Sequence, residues 1–392
     1  MPEDTFTYRF DRHAEVIVFA EEAEFKDTYG GDENIVLLEA HHLVPQDHPS
    51  DTVVIFMHPV GAGAYLPMVG ALARTGHHVI YCNSRYQTGD MALIMEKVVL
   101  DLAACVRHAK EQLGYQKVVL AGWSGGGSLS LFYQAEAEDP TVTATPAGEP
   151  PDLTAAGLIP ADGIMLLAAH VSRAHTLTEW LDASILDETD PTQRDHELDL
   201  FDPTNPNQPP YSDDFVLRYR AAQVERNRRI TAWVREKLAE LNPPGATKPA
   251  ELGFVVHGTM ADPRLFDGTL DPSEREIGWS YLGDPEVVNN GPVGLARFCS
   301  LRSWLSQWSF DESNADGVAC AARVRVPAMV IGNMADVACT PSHHQRLFDG
   351  LGSEEKQLHE IPGATHYYIG QREELAQAAR ICSTWLTERG LA

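Results

Sequence analysis

The sequence predicts an α/β fold: a mostly parallel central sheet flanked by helices and interrupted by a large, mainly helical insertion. Three observations lead there. Short, continuously apolar runs alternate with amphipathic helical runs from Asp51 onward; the alternation stops near His170 and resumes near Val324; and the stretch between is rich in Pro, Asp and Asn. Strands that are apolar along their whole length belong to a sheet covered on both faces, and their alternation with helices marks parallel βαβ units.

DTVVIFMHP (51–59) reads as a buried strand, MVGALARTG (68–76) as a helix ending at a glycine, and HHVIYCN (77–83) as a second strand. MEKVVLDLAACVRHAKEQLG (95–114) carries apolar residues near a period of 3.6 and reads as a long helix. KVVLAGWS (117–124) and DGIMLLAAH (162–170) are the next strands, separated by a helix and a polar, proline-rich loop over 137–152. After the irregular middle, VRVPAMVIGNMAD (324–336) returns as a strand, followed by a helix over 343–351, the strand KQLHEIPGATH (356–366) and a terminal helix REELAQAARICSTWLTERG (372–390). The alternating segments EVIVFAEEAEF (15–25) and NIVLLEAHHLV (34–44) are expected to add antiparallel strands at one edge. Helix-like pieces at 215–241 and 294–308 fall in the middle, where Leu301, Trp304, Leu305 and Trp308 form an apolar stripe expected to pack that region on the core. The expected division is a discontinuous core, 1–170 and 324–392, with an insertion at 171–323.

Composition excludes several classes of function. The chain has 392 residues, 44% of them hydrophobic, with a formal net charge of −26, so a nucleic-acid or anionic-membrane partner would be repelled. The closest approach to a basic patch, Arg226, Arg228, Arg229 and Arg235, is interleaved with Glu225 and Glu236 and reads as the solvated face of a helix. Cys82, Cys105, Cys299, Cys320, Cys339 and Cys382 are scattered without a CxxC pair, which suggests buried thiols rather than a zinc site or a disulfide framework. MPEDTFTYRF has no apolar leader and no run is long enough to span a bilayer, so the expectation is a soluble cytoplasmic protein acting on a small molecule, with a homo-oligomer left open.

The chemistry centres on GWSGG, residues 122–126. It fits G-x-S-x-G, in which a serine sits on a strained strand-to-helix turn and the glycines avoid a Cβ clash with neighbouring backbone. Alone, the pattern also suits a structural or phosphate-binding turn; a strand before it and a helix after it, within a βαβ alternation, favour the nucleophile. A serine hydroxyl needs a base, and the base needs an acid to fix its tautomer. Both are sought at the carboxyl ends of strands. There the sequence offers Asp336, ending PAMVIGNMAD, and His366, in GATHYY, in the chain order Ser124, Asp336, His366. The oxyanion requires backbone donors: Gly125 after the nucleophile, and Val60, with Gly61 as the reserve, in HPVGAG after an early strand. His58 is expected to hold that loop rather than act as a second base.

With these motifs in hand, the chain resembles the α/β-hydrolase superfamily. HPVGAG resembles its oxyanion loop, departing from it at Pro59 where glycine is usual; NSRYQTG its arginine-containing loop; GWSGG its elbow; GNMAD its acid turn; and GATH its histidine loop. The resemblance covers roughly residues 50–170 and 324–392. It implies that 171–323 is a cap over the site, that Arg85 is structural, and that no metal or organic cofactor is required. The implied activity is a serine carboxylesterase acting on an ester or lactone through an acyl-enzyme. The alternatives are carbon–carbon bond hydrolysis of a diketone or ring-cleavage product, and a non-catalytic ligand-binding protein of the same fold. A dehalogenase or epoxide hydrolase is disfavoured, because those relatives generally carry an aspartate where Ser124 stands.

Overall fold

The computed structural model describes residues 5–21, 26, 28 and 34–392. Its centre is an eight-stranded sheet. In chain order its strands are β1 (Phe10–Ala20), β2 (Ile35–Pro45), β3 (Thr52–Phe56), β4 (His78–Cys82), β5 (Lys117–Ser124) and β6 (Gly163–Ala169); β7 (Gly253–Val255) and β8 (Phe298–Ser300) form a separate ribbon, and β9 (Ala328–Asn333) and β10 (Lys356–Ile361) complete the main sheet. The spatial order is β1-β2-β4-β3-β5-β6-β9-β10. β1 and β2 pair antiparallel, β2 joins β4 antiparallel, and every further pair is parallel. The antiparallel edge is therefore where the sequence placed it, although residues 22–25 of the first segment lie outside the described residues.

Why the parallel strands are apolar throughout is visible in their packing. On β3, Val53 and Ile55 face one layer while Val54 and Phe56 face the other; β5 and β6 repeat this with Val118 and Leu120 against Val119, and Ile164 and Leu166 against Met165 and Leu167. The helices Met95–Glu111 and Gly126–Glu138 cover the first face, and Pro67–Arg74 with Arg372–Glu388 cover the second. Each fully buried Leu, Ile or Phe in these layers contributes about 1.5–3 kcal/mol. All six cysteines are buried free thiols. Among the described residues no helix is long and apolar enough to cross a membrane.

Between β6 and β9 lie the helices Arg173–Trp180 and Asp213–Leu241 and the β7–β8 ribbon. Two expectations for this region are corrected. The helix expected over 294–308 begins only at Leu301: Phe298–Ser300 are extended and pair with Gly253–Val255, and Trp304–Trp308 form a π-turn. Even so, Leu301, Trp304, Leu305 and Trp308 are fully buried together with Leu177, Ile230 and Val234. Arg226 is not on a solvated face. It is fully buried, with its guanidinium donating to both oxygens of Glu188 and to the carbonyls of Asp182, His257 and Gly258, so every charged edge finds an acceptor. Its neighbours Arg228, Arg229 and Arg235 are the exposed ones, paired with Asp311, Glu188 and Glu312. The region is tied to the sheet's covering helix Pro341–Gly350 through Glu179, which meets His343 at 3.0 Å and Arg346 at 3.1 Å.

Candidate active site

Ser124 is the last residue of β5, and the helix Gly126–Glu138 starts two residues later. To make that reversal its backbone adopts φ +54°, in the left-handed region that side chains other than glycine's rarely enter. The neighbouring strand responds: β6 shifts register opposite Ser124, with Ala168 at φ +43°. The flanking glycines have steric reasons. A Cβ at Gly122 would lie 2.6 Å from Gly126 O and 2.6 Å from Gly127 Cα, and one at Gly126 would lie 2.6 Å from Met57 O. These are backbone atoms and cannot rotate away.

The turn lifts the serine hydroxyl towards the carboxyl ends of β9 and β10. Ser124 Oγ lies 3.1 Å from His366 Nε2, and His366 Nδ1 lies 2.6 Å from Asp336 Oδ2. The other carboxylate oxygen, Oδ1, accepts the N–H groups of Ala338 at 2.7 Å and Cys339 at 3.0 Å, which fixes the plane of the acid. All three residues are buried. An Nδ1–H facing the acid leaves Nε2 as the lone-pair nitrogen facing the serine, the protonation a general base needs.

Gly125 follows directly, and a Cβ there would lie 2.8 Å from His58 Nε2, so only glycine admits the loop to this distance. His58 Nδ1 donates to Val60 O at 2.5 Å. A nitrogen that carries a proton cannot also accept one, so the Val60 N–H, 3.3 Å from the same atom, is left available to a ligand. Burial, and secondarily the charge of Arg173, pulls His58 down to about 4 and keeps it a neutral clamp on this loop. Arg85 lies elsewhere: Nε and Nη2 donate to Oδ1 of the buried Asp101, and Nε also reaches Oδ2 at 3.3 Å.

A cavity of about 330 Å³ opens above Ser124 and is also lined by Val60, Gly125 and His366. A larger cavity of about 630 Å³ is lined by Lys97, Glu149, Asn242 and Arg302, and Ser124, His366, Gly125 and Val60 are not in its walls. The site cavity has further walls that sequence reasoning missed: Trp123, Tyr367, Tyr281, Trp180, His170 and Arg173. Trp123 stacks tilted on His366 with ring centroids 4.5 Å apart. His170 and Arg173 follow β6 directly, so a search of every strand's carboxyl end would have found them. Burial holds His170 well below its ordinary value and therefore neutral.

Asp336, Cys339 and His366 place donor atoms within 4.8 Å of one another. In this arrangement the acid and the imidazole are bonded to each other, and the Cys339 N–H donates to the same carboxylate.

A mostly parallel sheet in this strand order, with a serine at a left-handed turn between its fifth strand and the helix that follows, is decisive for the architecture. The chain has the α/β-hydrolase fold. No protein-family model matches it, and no curated protein is similar to it in sequence. It is similar in structure to the monoacylglycerol lipase of Paleococcus ferrophilus, with 15% identity over 90% of this chain and 99% of the other at a TM-score of 0.47. Est1E from Butyrivibrio proteoclasticus gives 13% identity over 91% and 96%, TM-score 0.47, and a soluble variant of monoglyceride lipase from Saccharomyces cerevisiae 11% over 99% and 97%, TM-score 0.47. Within the α/β-hydrolase fold, then, this chain brings Ser124, His366 and Asp336 into one hydrogen-bonded line and sets Gly125 and Val60 beside it.

Proposed function

We propose that the protein is a serine hydrolase that cleaves carboxylic esters or lactones. The observation that carries this is the continuous line from Ser124 Oγ through His366 to Asp336, at 3.1 and 2.6 Å, at the floor of a cavity. In this reading Ser124 Oγ attacks the carbonyl carbon while its proton passes to His366 Nε2. Asp336 stabilises the imidazolium that forms. The carbonyl oxygen, now negative, is held by the N–H groups of Gly125 and Val60. His366 then gives the proton to the departing alkoxide, leaving an acyl-enzyme, and afterwards takes a proton from water to release the acid and restore Ser124.

Residues 171–323 act as a cap. They bring Arg173, Trp180, Tyr281 and Trp308 to the cavity wall. A cavity of about 330 Å³ sits at the lower end of small-molecule sites, which restricts the substrate to a short acyl group and a short alcohol. The test is hydrolysis of para-nitrophenyl esters from acetate to dodecanoate by wild type and Ser124→Ala. Turnover that is serine-dependent and peaks at short chains supports the proposal. Activity retained by Ser124→Ala would overturn it.

A further inference from the structure

Arg173 is the feature of the cavity that neither the fold nor the triad requires. It is the first residue of the helix Arg173–Trp180, immediately beyond β6, and is 6% exposed. Three of its surfaces are accounted for. Nε donates to Gln307 Oε1 at 3.0 Å, Nη2 donates to Asp90 Oδ2 at 2.6 Å, and the guanidinium plane lies 4.3 Å over the Trp308 ring. Nη1 is different. It has no acceptor among the described residues, Arg173 lines the cavity, and a Cβ built on Gly125 would stand 3.5 Å from Nη1. The open edge of the guanidinium is therefore next to the backbone that would hold the oxyanion.

The charge around it is incompletely met. Among the described residues lining the cavity, Arg173 is the one Lys or Arg and Asp90 the one Asp or Glu. Asp90 is partly exposed, its side chain 29% accessible, so water screens it and weakens its compensation of the buried cation. Burial accordingly pulls the guanidinium below its ordinary value in spite of Asp90, and its charge contributes to holding His58 and His170 neutral. A guanidinium does not lose its proton in a protein, so the cavity keeps a positive edge inside a protein of net charge −26. A neutral ester offers that edge no more than an uncharged oxygen. A carboxylate fills it with a charge-assisted hydrogen bond.

From this we infer that Arg173 is a specificity-determining residue that binds a carboxylate carried by the substrate within a few bonds of the scissile carbonyl. The inference rests on the serine-hydrolase reading above and names its substrate class: short esters bearing one carboxylate, on the acyl or on the alcohol side.

Two matched pairs distinguish the sides. Monoethyl succinate is compared with ethyl 4-methylpentanoate, which replaces the carboxylate by an isopropyl group of similar shape, and 3-(butanoyloxy)propanoate with 3-methylbutyl butanoate. kcat/KM is measured by pH-stat at pH 7.5 for wild type, Arg173→Met and Asp90→Asn. In one pair the wild type is expected to favour the anionic ester by about 10- to 100-fold, the worth of one charge-assisted bond in a closed site. Arg173→Met brings that ratio to one or below, and Asp90→Asn, which removes the competing carboxylate, raises it. A wild-type ratio at or below one in both pairs overturns the inference whether or not either variant folds. So does a ratio that Arg173→Met leaves unchanged. Labelling of Ser124 by a neutral fluorophosphonate separates the two levels: labelled enzyme that prefers neutral esters loses the carboxylate site only, whereas unlabelled, inactive enzyme loses the hydrolase reading itself.

Discussion

At position 124 the order of stability of alanine and glycine should be the reverse of the ordinary one. Ser124 sits at φ +54°. A left-handed backbone costs a residue with a Cβ about 1–2 kcal/mol that glycine does not incur, while glycine's greater freedom in the unfolded chain costs it about 0.5–1 kcal/mol relative to alanine. Ser124→Ala and Ser124→Gly both remove Oγ and its 3.1 Å bond to His366, so that loss cancels in the comparison. The remainder favours glycine by up to about 1.5 kcal/mol. Ala232, exposed in the helix Asp213–Leu241, provides the contrast: there Ala→Gly should destabilise by about 1 kcal/mol. Urea unfolding of the two Ser124 variants, and of wild type against Ala232→Gly, measures both differences. Both Ser124 variants are expected to be inactive, so the comparison concerns backbone strain alone. A Ser124→Ala protein more stable than Ser124→Gly would refute the strained turn and with it the reason for the glycines around it.

Three further outcomes follow from the same geometry. Asp336→Asn should lower kcat by about 10³–10⁴-fold on a para-nitrophenyl ester with the fold intact, because an amide presents the wrong partner to His366 Nδ1; a loss below tenfold would remove Asp336 from its role. Gly122→Val should fail to give soluble protein in an expression trial, since its Cβ would meet Gly126 O and Gly127 Cα at 2.6 Å, and well-folded Gly122→Val would count against the elbow. Stability should fall on acidification from pH 6.5 to about 4. His42 and His77 are buried and their values drop from 6.5 to about 4, chiefly by desolvation, so over that window the unfolded chain binds protons that the folded chain refuses. Each contributes up to about 3 kcal/mol of this loss at the lower limit. A free energy of unfolding that stays level between pH 6.5 and 4.5, while His42→Gln changes nothing in its slope, would contradict the assignment.

What could be read in advance follows the strength of the physical signal. Strands buried on both faces leave continuous apolar runs, so β3, β5, β6 and β9 were legible, and the strained turn needs glycines at fixed offsets, so Ser124 stood out. Asp336 and His366 were reachable because strand ends gather at one edge of a parallel sheet. The insertion was harder, since its elements answer to long-range partners. Arg226 looks like a surface residue until Glu188 and three carbonyls, 31 to 44 residues away in sequence, close around it. Phe298–Ser300 continue an apolar helical pattern, yet the ribbon with Gly253–Val255 takes them as strand. Arg173 and His170 carried no local motif, and only their place after β6 marks them.

Covalent labelling shows whether His366 activates Ser124. Wild type and His366→Gln are treated with a neutral fluorophosphonate, and the adduct is located by peptide mass spectrometry. One adduct per chain is expected, on Ser124, formed at least about 10³-fold more slowly in His366→Gln. No adduct on wild-type Ser124, or equal rates in the two proteins, would contradict it.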